Sequence, residues 1–590
     1  MFPKKNFSLV LFFMTFLYQI FPQEALKSTE EEYYDFLSLQ GLVERPTLGY
    51  RTLSDNQWKF VEKESPVLDV EGNPLLDENG NPIKEKVLPN HVWQENNLGS
   101  KRVLWQSESK GGNWFTRGFD HSIKFKAYGP DWYNSFNTAA PYGQNDGALW
   151  QGKGYNTSLT GGVRIEGYGF ELTFKPQVCF SQNLEFDYIT PNYSGAKFYG
   201  KASNYGYYGV NFIDAPQRFG DSAFWTYSWG DTEARWTWKN FTIGFGTQSI
   251  WLGPAQLNPI IHSNNASSYP KLDLGLRKIK VTMPHFGWNL GYIEARGWWG
   301  KLYESEWFDN DSNNNNNLIT GFVLYYQLPF FKEFTMGINR TMVSKWGDKN
   351  EYTLFKIYNP FLSSGVSGGN DDSDQRVSIT VDYKLNLVGL EMYLEWARND
   401  YSPTIDHYIR YPFHTQGWTF GTRKTLSLPF SLKGQIYLEL TSLECSADYD
   451  RLIGWYTTFY SHHRVTQGYT NEGQWLGAGI GTGGNSQYIG FTVYHKKGSL
   501  SFFGQRRNPD LDYTMYIDNR RQTENYRAEG NIKVILDLGI KGTYFFNHFF
   551  QFAFSYIFSD EHNPIYEAGE YNNSTHRYNN HFVLNLKVIL

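Results

Sequence analysis

After residue 21 the chain offers no run of about 18 consecutive apolar residues, so membrane-crossing helices are not expected. Cysteine is almost missing. Cys179 and Cys445 lie far apart in separate strand-like stretches, which excludes a disulfide framework. A single disulfide stays open, two buried free thiols are the favoured reading, and neither cysteine lies where an N-terminal lipid would attach. Charge is scarce as well. Charged residues make up 19% of the chain and the net charge is −5, which argues against a nucleic-acid partner. A soluble multidomain protein of 590 residues would carry more charge, Leu and Ala.

Aromatic residues fill that gap. With 43 Tyr, 45 Phe and 20 Trp the chain is 18% aromatic, yet its mean hydropathy is negative. This fits a transmembrane β-barrel, where alternate residues meet lipid and aromatic girdles mark both interfaces. The order of residues agrees. "FELTFKP" sets Phe170, Leu172 and Phe174 against Glu171, Thr173 and Lys175. "GLEMYLEWARND" sets Leu390, Met392, Leu394 and Trp396 against Glu391, Tyr393 and Glu395. "GQIYLEL", "FFQFAFSYIF" and the terminal "HFVLNLKVIL" repeat the pattern. These are period-2 strands with one oily and one polar face. A charge facing lipid costs roughly 2–4 kcal/mol near the midplane, so the charged faces must line a polar lumen. A stack of β-sandwiches is the competing arrangement.

The N-terminus differs. Lys4 and Lys5 followed by an apolar run to Phe21 read as an export signal. Ser28 with Glu31 forms a capping box for a short helix through Tyr33, Phe36 and Leu37, stopped by Gly41 and Pro46. "LDVEGNPLLDENGNPIKEK" follows; its Asp69, Glu71, Asp77 and Glu78 lack the spacing of a calcium loop, and Gly-Asn-Pro turns in a polar hairpin or linker explain it better. Three regions are therefore expected: a signal peptide at 1–23, a periplasmic helical and linker segment at 24–110, and an outer-membrane barrel at 111–590. At about 25 to 30 residues per strand with its loop, the last region holds about 16–18 strands. The expected fold is all-β, a transmembrane antiparallel β-barrel with a short N-terminal helical segment and plugging loops.

Enzyme motifs do not survive their context. Gly365–Gly369 mimics a nucleophile elbow without the strand and helix that motif needs. Gly479, Gly481 and Gly484 match GxGxxG, but a strand follows instead of a helix. His462 and His463 point to opposite sides of any strand, and Asp371, Asp372 and Asp374 read as a solvated loop. No catalytic residue, no metal site and no cofactor are expected.

One segment stands apart: "FGTQSIWLGPAQLNPIIHSNNASSYPKLDLGLRK", residues 245–278, too long and too apolar for a connector. Its Trp251, Gly253 and Pro254, followed by Ser263, Asn264, Asn265, Ala266 and Pro270, resemble the signature of the outer-membrane capsule-assembly proteins of the Wzi type. "DFLSLQGLVERP" (35–46), "NDGALWQGKGYNTSLTGGV" (145–163) and the stretch 368–400 are similar to further parts of that family. The chain departs from it in the 66–90 insertion, a shorter helical part, and Leu252 and Ala255.

The resemblance implies a blocked barrel of about 18 strands acting as a non-catalytic lectin that holds capsular or extracellular polysaccharide at the cell surface. It makes residues 245–278 a plug: Gly253 and Pro254 turn it, Trp251 and Ile260 pack, and Asn264 and Asn265 satisfy buried backbone groups, fix a turn or touch sugar. Tyr469 and Trp475, in a long polar loop, are further carbohydrate candidates. Expected partners are polysaccharide, outer-membrane lipid and the polysaccharide export machinery, with the chain monomeric. A diffusion porin for small polar or sugar solutes is the alternative, and an outer-membrane enzyme or adhesin the third reading.

Overall fold

The computed structural model describes residues 28–588 except 56–57, 68–73, 77–81, 97, 99–102, 109–118, 120, 190–205, 207–212, 310, 348–372, 400–404, 414, 445–458, 463 and 512–527. The expected signal peptide, Gly365–Gly369, Asp371, Asp372, Cys445 and His463 therefore lie outside the described residues.

Alternation becomes a single closed sheet of 18 antiparallel strands. In chain order they are β1 (Lys124–Asn137), β2 (Gly154–Gly167), β3 (Phe170–Phe174 with Gln177–Ser181), β4 (Phe224–Ser228 with Glu233–Trp238), β5 (Phe241–Gly246) and β6 (Lys271–Thr282). Next come β7 (Asn289–Tyr303), β8 (Asn316–Gln327), β9 (Phe334–Lys345), β10 (Ser373–Leu385), β11 (Leu390–Asn399) and β12 (Gln416–Ser427). The ring is completed by β13 (Lys433–Ser442), β14 (Asn485–His495), β15 (Gly498–Asn508), β16 (Val534–Phe545), β17 (Phe550–His562) and β18 (His576–Val588). Pro176, which has no N–H to donate, interrupts β3 between its halves. β18 pairs with β1 from His581–Asn137 to Lys587–Asp131, which closes the sheet and excludes stacked sandwiches. The first long strand of the wall begins at Lys124, with Trp105–Gln106 paired along its start.

Each strand shows the two faces its sequence dictates. Phe170, Leu172 and Phe174 stand about half exposed on the outside, whereas Glu171 and Thr173 are buried inside. The same holds at the C-terminus, where Phe582, Leu584 and Leu586 face out and Lys587 is buried. Short turns join β2–β3, β4–β5, β10–β11 and β14–β15 at one end, and long segments join strands at the other. Trp288, Phe330, Phe430 and Phe546 stand exposed around the short-turn end, as an interfacial girdle does.

Helix α1 (Thr29–Leu39) closes the short-turn end. Ser28 caps it, its Oγ accepting from the Glu31 amide at 3.2 Å, and Gly41 leaves it at φ +67°. A helix this short needs a docking surface. Tyr33 stacks on Trp93 at 4.0 Å and Phe36 on Tyr494 at 4.3 Å, while Trp93 Nε1 donates to the His495 and Gly498 carbonyls at the β14–β15 turn. Ions complete the dock: Arg423 Nη1 of β12 donates to Asp35 at 2.7 Å, and Arg45 bridges Asp35, Asp382 and Glu391. Further along, Lys63–Pro66 pairs antiparallel with Lys84–Val87 in a polar hairpin, while Gly72, Asn73, Gly80 and Asn81 lie outside the described residues.

Candidate functional site

From α1 the chain does not stay outside the barrel. Tyr50–Arg51 forms a small antiparallel ladder with Trp251–Leu252, so the N-terminal segment and the 247–270 segment meet within the lumen. Backbone buried there must find partners. Three strand-borne glutamates supply many of them. Glu294 of β7 accepts from the amides of Leu48, Gly49 and Tyr50 at 2.7–3.3 Å. Glu439 of β13 accepts from those of Gln256, Leu257 and Asn258 at 2.7–3.2 Å, and from the Tyr393 and Tyr437 hydroxyls. Glu395 of β11 takes the Ile260 amide at 2.8 Å. A chain of ion pairs anchors the entering segment. Asp55 meets Arg277 and Arg296, Arg296 meets Asp273, and Arg277 meets Glu171 beside Arg164. Such buried ions fix position more than they add stability, since each is costly to leave unpaired.

The signature residues occupy this plug. Trp251 is fully buried, its Nε1 donating to the Ala255 carbonyl at 2.8 Å, with the Arg51 guanidinium over its ring. Gly253 sits at φ +77°, where a side chain is strained, and its amide donates to Gly49 at 2.9 Å; Pro254 follows, buried. Ser263 Oγ donates to the Gly477 carbonyl at 2.6 Å and accepts from the Asn265 amide. Asn265 accepts from the Asn145 amide and donates to the Trp475 carbonyl, joining three loops. The Asn264 carbonyl receives the Gly147 amide, and its side chain faces a cavity of about 280 Å³ beside Lys175, Asp231 and Lys587.

Residues 459–484 form a second layer. Tyr469 is completely buried, donating to the Ile261 carbonyl at 2.9 Å and packed under Arg376, so it braces the plug. Asp374 also departs from a solvated loop, being buried in β10 with Arg376 at 2.7 Å. His462 is buried with Nδ1 accepting from the Val465 amide. The GxGxxG glycines are steric. A Cβ on Gly479 would lie 2.7 Å from Asn265 Oδ1, and one on Gly484 2.2 Å from the Asn508 carbonyl. Cys179 is a buried free thiol.

Trp475 is different. It lines a cleft of about 230 Å³ at the long-loop end, with Trp150, Phe186 and Tyr188. Arg577 lies over Phe186 and binds Glu561 at 2.6 Å, and Lys533 stands 3.8 Å from Glu561. Burial pushes Lys533 down to about 8 against the pull of Glu561. Asn265 shares this wall, so two of the residues singled out by sequence reach it. The others arrive from distant loops and from β17 and β18, and no sequence pattern singled them out. Aromatic faces beside mixed charges and amides suit a polyhydroxylated ring: the rings stack and the polar groups exchange hydrogen bonds with hydroxyls.

A closed barrel with oily exterior, internal plug and outward cleft defines an outer-membrane protein of the occluded kind. The chain belongs to the capsule assembly protein Wzi family, whose model matches residues 184–573. Among solved structures it is similar to Wzi of Escherichia coli, described as an outer-membrane protein involved in group 1 capsule assembly and a carbohydrate-binding β-barrel. That likeness has TM-score 0.51 at 10% identity and covers 78% of this chain and 85% of the other. Similarity to OccAB1 of Acinetobacter baumannii (TM-score 0.36, 8% identity, 78% and 96% covered) and to OprB of Pseudomonas putida (0.33, 10%, 79% and 93%) is weaker. No curated protein sequence matches this chain. Membership makes the chain an outer-membrane barrel of capsule assembly.

Proposed function

We propose that this barrel holds capsular or extracellular polysaccharide at the cell surface, binding it in the outward cleft without catalysis. The observation that carries the reading is the cleft itself: Trp150, Phe186, Tyr188 and Trp475 surround polar and charged groups at the long-loop end. The carbohydrate binding named for the E. coli relative supports it. In this reading Trp475 stacks on sugar, Asn265 orients the Trp475 strand, and the remaining signature residues hold the plug. Residues 1–23 export the chain, the short-turn end with α1 faces the periplasm and the export machinery, and the barrel works as a monomer. The plug argues against the porin alternative, because carboxylates on three strands grip it by its backbone.

Deletion of the gene, with staining for cell-bound against shed polysaccharide, tests this. Polysaccharide should move to the medium and return to the cell on complementation. An unchanged surface coat in the deletion strain overturns the proposal.

A further inference from the structure

On the outer face of the last hairpin, Asp560 and His562 lie one pleat apart on β17, and His576 faces His562 in register on β18. Asp560 Oδ1 is 2.8 Å from His576 Nδ1, Asp560 Oδ2 is 3.3 Å from His562 Nε2, and the two imidazole centroids are 4.4 Å apart. The ligand atoms of all three lie within 4.8 Å of one another. His562 Nε2 has almost no contact with solvent and completes no hydrogen bond with Asp560, although it points at that carboxylate. Sequence reading finds no metal ligands because these three come together only through strand register.

We propose that Asp560, His562 and His576 form a binding site for a Zn²⁺-class divalent metal ion. Two imidazoles and one carboxylate are a donor set that zinc favours, and tetrahedral bonds of about 2.0–2.2 Å place neighbouring ligand atoms roughly 3.3 Å apart. The separations of 2.8 and 3.3 Å need only small side-chain adjustment to reach that arrangement. Two paired strands hold the ligands, a more rigid support than a loop. One pleat nearer the bilayer, Phe558 stacks on Tyr578 at 5.9 Å, which sets the site beyond the aromatic interface in the watery headgroup layer. His576 is partly exposed, so the fourth position opens outward to water or an anionic oxygen. A bound ion would tie the top of β17 to β18, where the 563–575 segment leaves the barrel.

The test is calorimetric titration of Zn²⁺ into the tag-free full-length protein in detergent, with Co²⁺ absorption as a second probe of coordination. One ion should bind per chain, with affinity falling at least tenfold in His562→Ala and His576→Ala and less in Asp560→Asn. The four-coordinate Co²⁺ bands should vanish with either histidine, while His285→Ala, in an exposed turn, should bind as wild type does. Circular dichroism matching wild type must accompany each loss. A wild-type stoichiometry of zero, or binding unchanged in the double-histidine variant, overturns the proposal.

Discussion

Along β7 to β11 the lumen is filled, and along β14 to β18 and β1 it holds cavities. On the first side Trp298, Ile319, Val323, Tyr325 and Val343 pack against Tyr50, Leu252, Ile260 and Ile261 of the plug. On the second, Thr492, Ser501, Gln505, Thr543 and Asn585 line a space of about 480 Å³ that reaches down to α1. The strands of both sides alternate in the same way. The difference lies in what the inward residues are: large apolar groups and carboxylates with backbone to grip, against hydroxyls and amides that bond to one another, such as Thr492 with Ser501 and Gln505 with Ser486. Inward polarity alone does not mark function.

The largest effect should come from loosening the grip. Glu294→Ala combined with Glu439→Ala removes the acceptors of six plug amides, and hydrogen bonds to charged groups contribute about 1.5–3 kcal/mol each. Wild type should be closed in a planar bilayer and the double variant should conduct in steps. If the variant stays closed, the plug does not depend on those carboxylates. Tyr469→Ala should follow, at about 3–5 kcal/mol for an emptied aromatic site, read as a lower melting temperature and faster proteolysis within 459–484. Were Tyr469 an exposed sugar platform, its loss would leave stability alone.

The helical dock should give a smaller effect, set by pH. Burial pushes Asp35 up, but Arg423 and Arg45 outweigh it and hold its carboxyl well below the ordinary range. A depressed folded value means the contribution is complete above about pH 4, the ordinary carboxylate pKa, and is lost as pH falls through the folded value. Protease access to α1 should therefore rise only in strong acid, and Asp35→Asn should abolish that dependence. The smallest effect is expected of Trp475→Ala, about 0.5–1.5 kcal/mol for one stacking partner. It should weaken polysaccharide capture up to roughly tenfold and leave conductance at zero.

Much of the fold was legible because it is written locally. Period-2 alternation marked both faces of the wall, Ser28 and Glu31 marked the helix start, and Gly253 marked the turn in the plug. The partners were not legible. Glu439 grips Asn258 across 181 positions and Arg296 meets Asp55 across 241, separations that no spacing rule addresses. A loop folded into a lumen has the same Gly, Asn and Ser as one standing in water, so Tyr469 and Trp475, six residues apart, read alike although one is buried and one lines the cleft. The N-terminal segment hides its partners for a related reason. Its polar composition suits a linker, yet Asp55 and Arg51 are polar because the lumen is.

The most direct measurement is capture of the host cell's own purified polysaccharide by tag-free protein, wild type beside Trp475→Ala and Trp150→Ala. Wild type should retain the polymer, and each variant should retain clearly less while melting at the same temperature. Equal retention by all three, or none by wild type, would contradict an aromatic cleft that holds the coat.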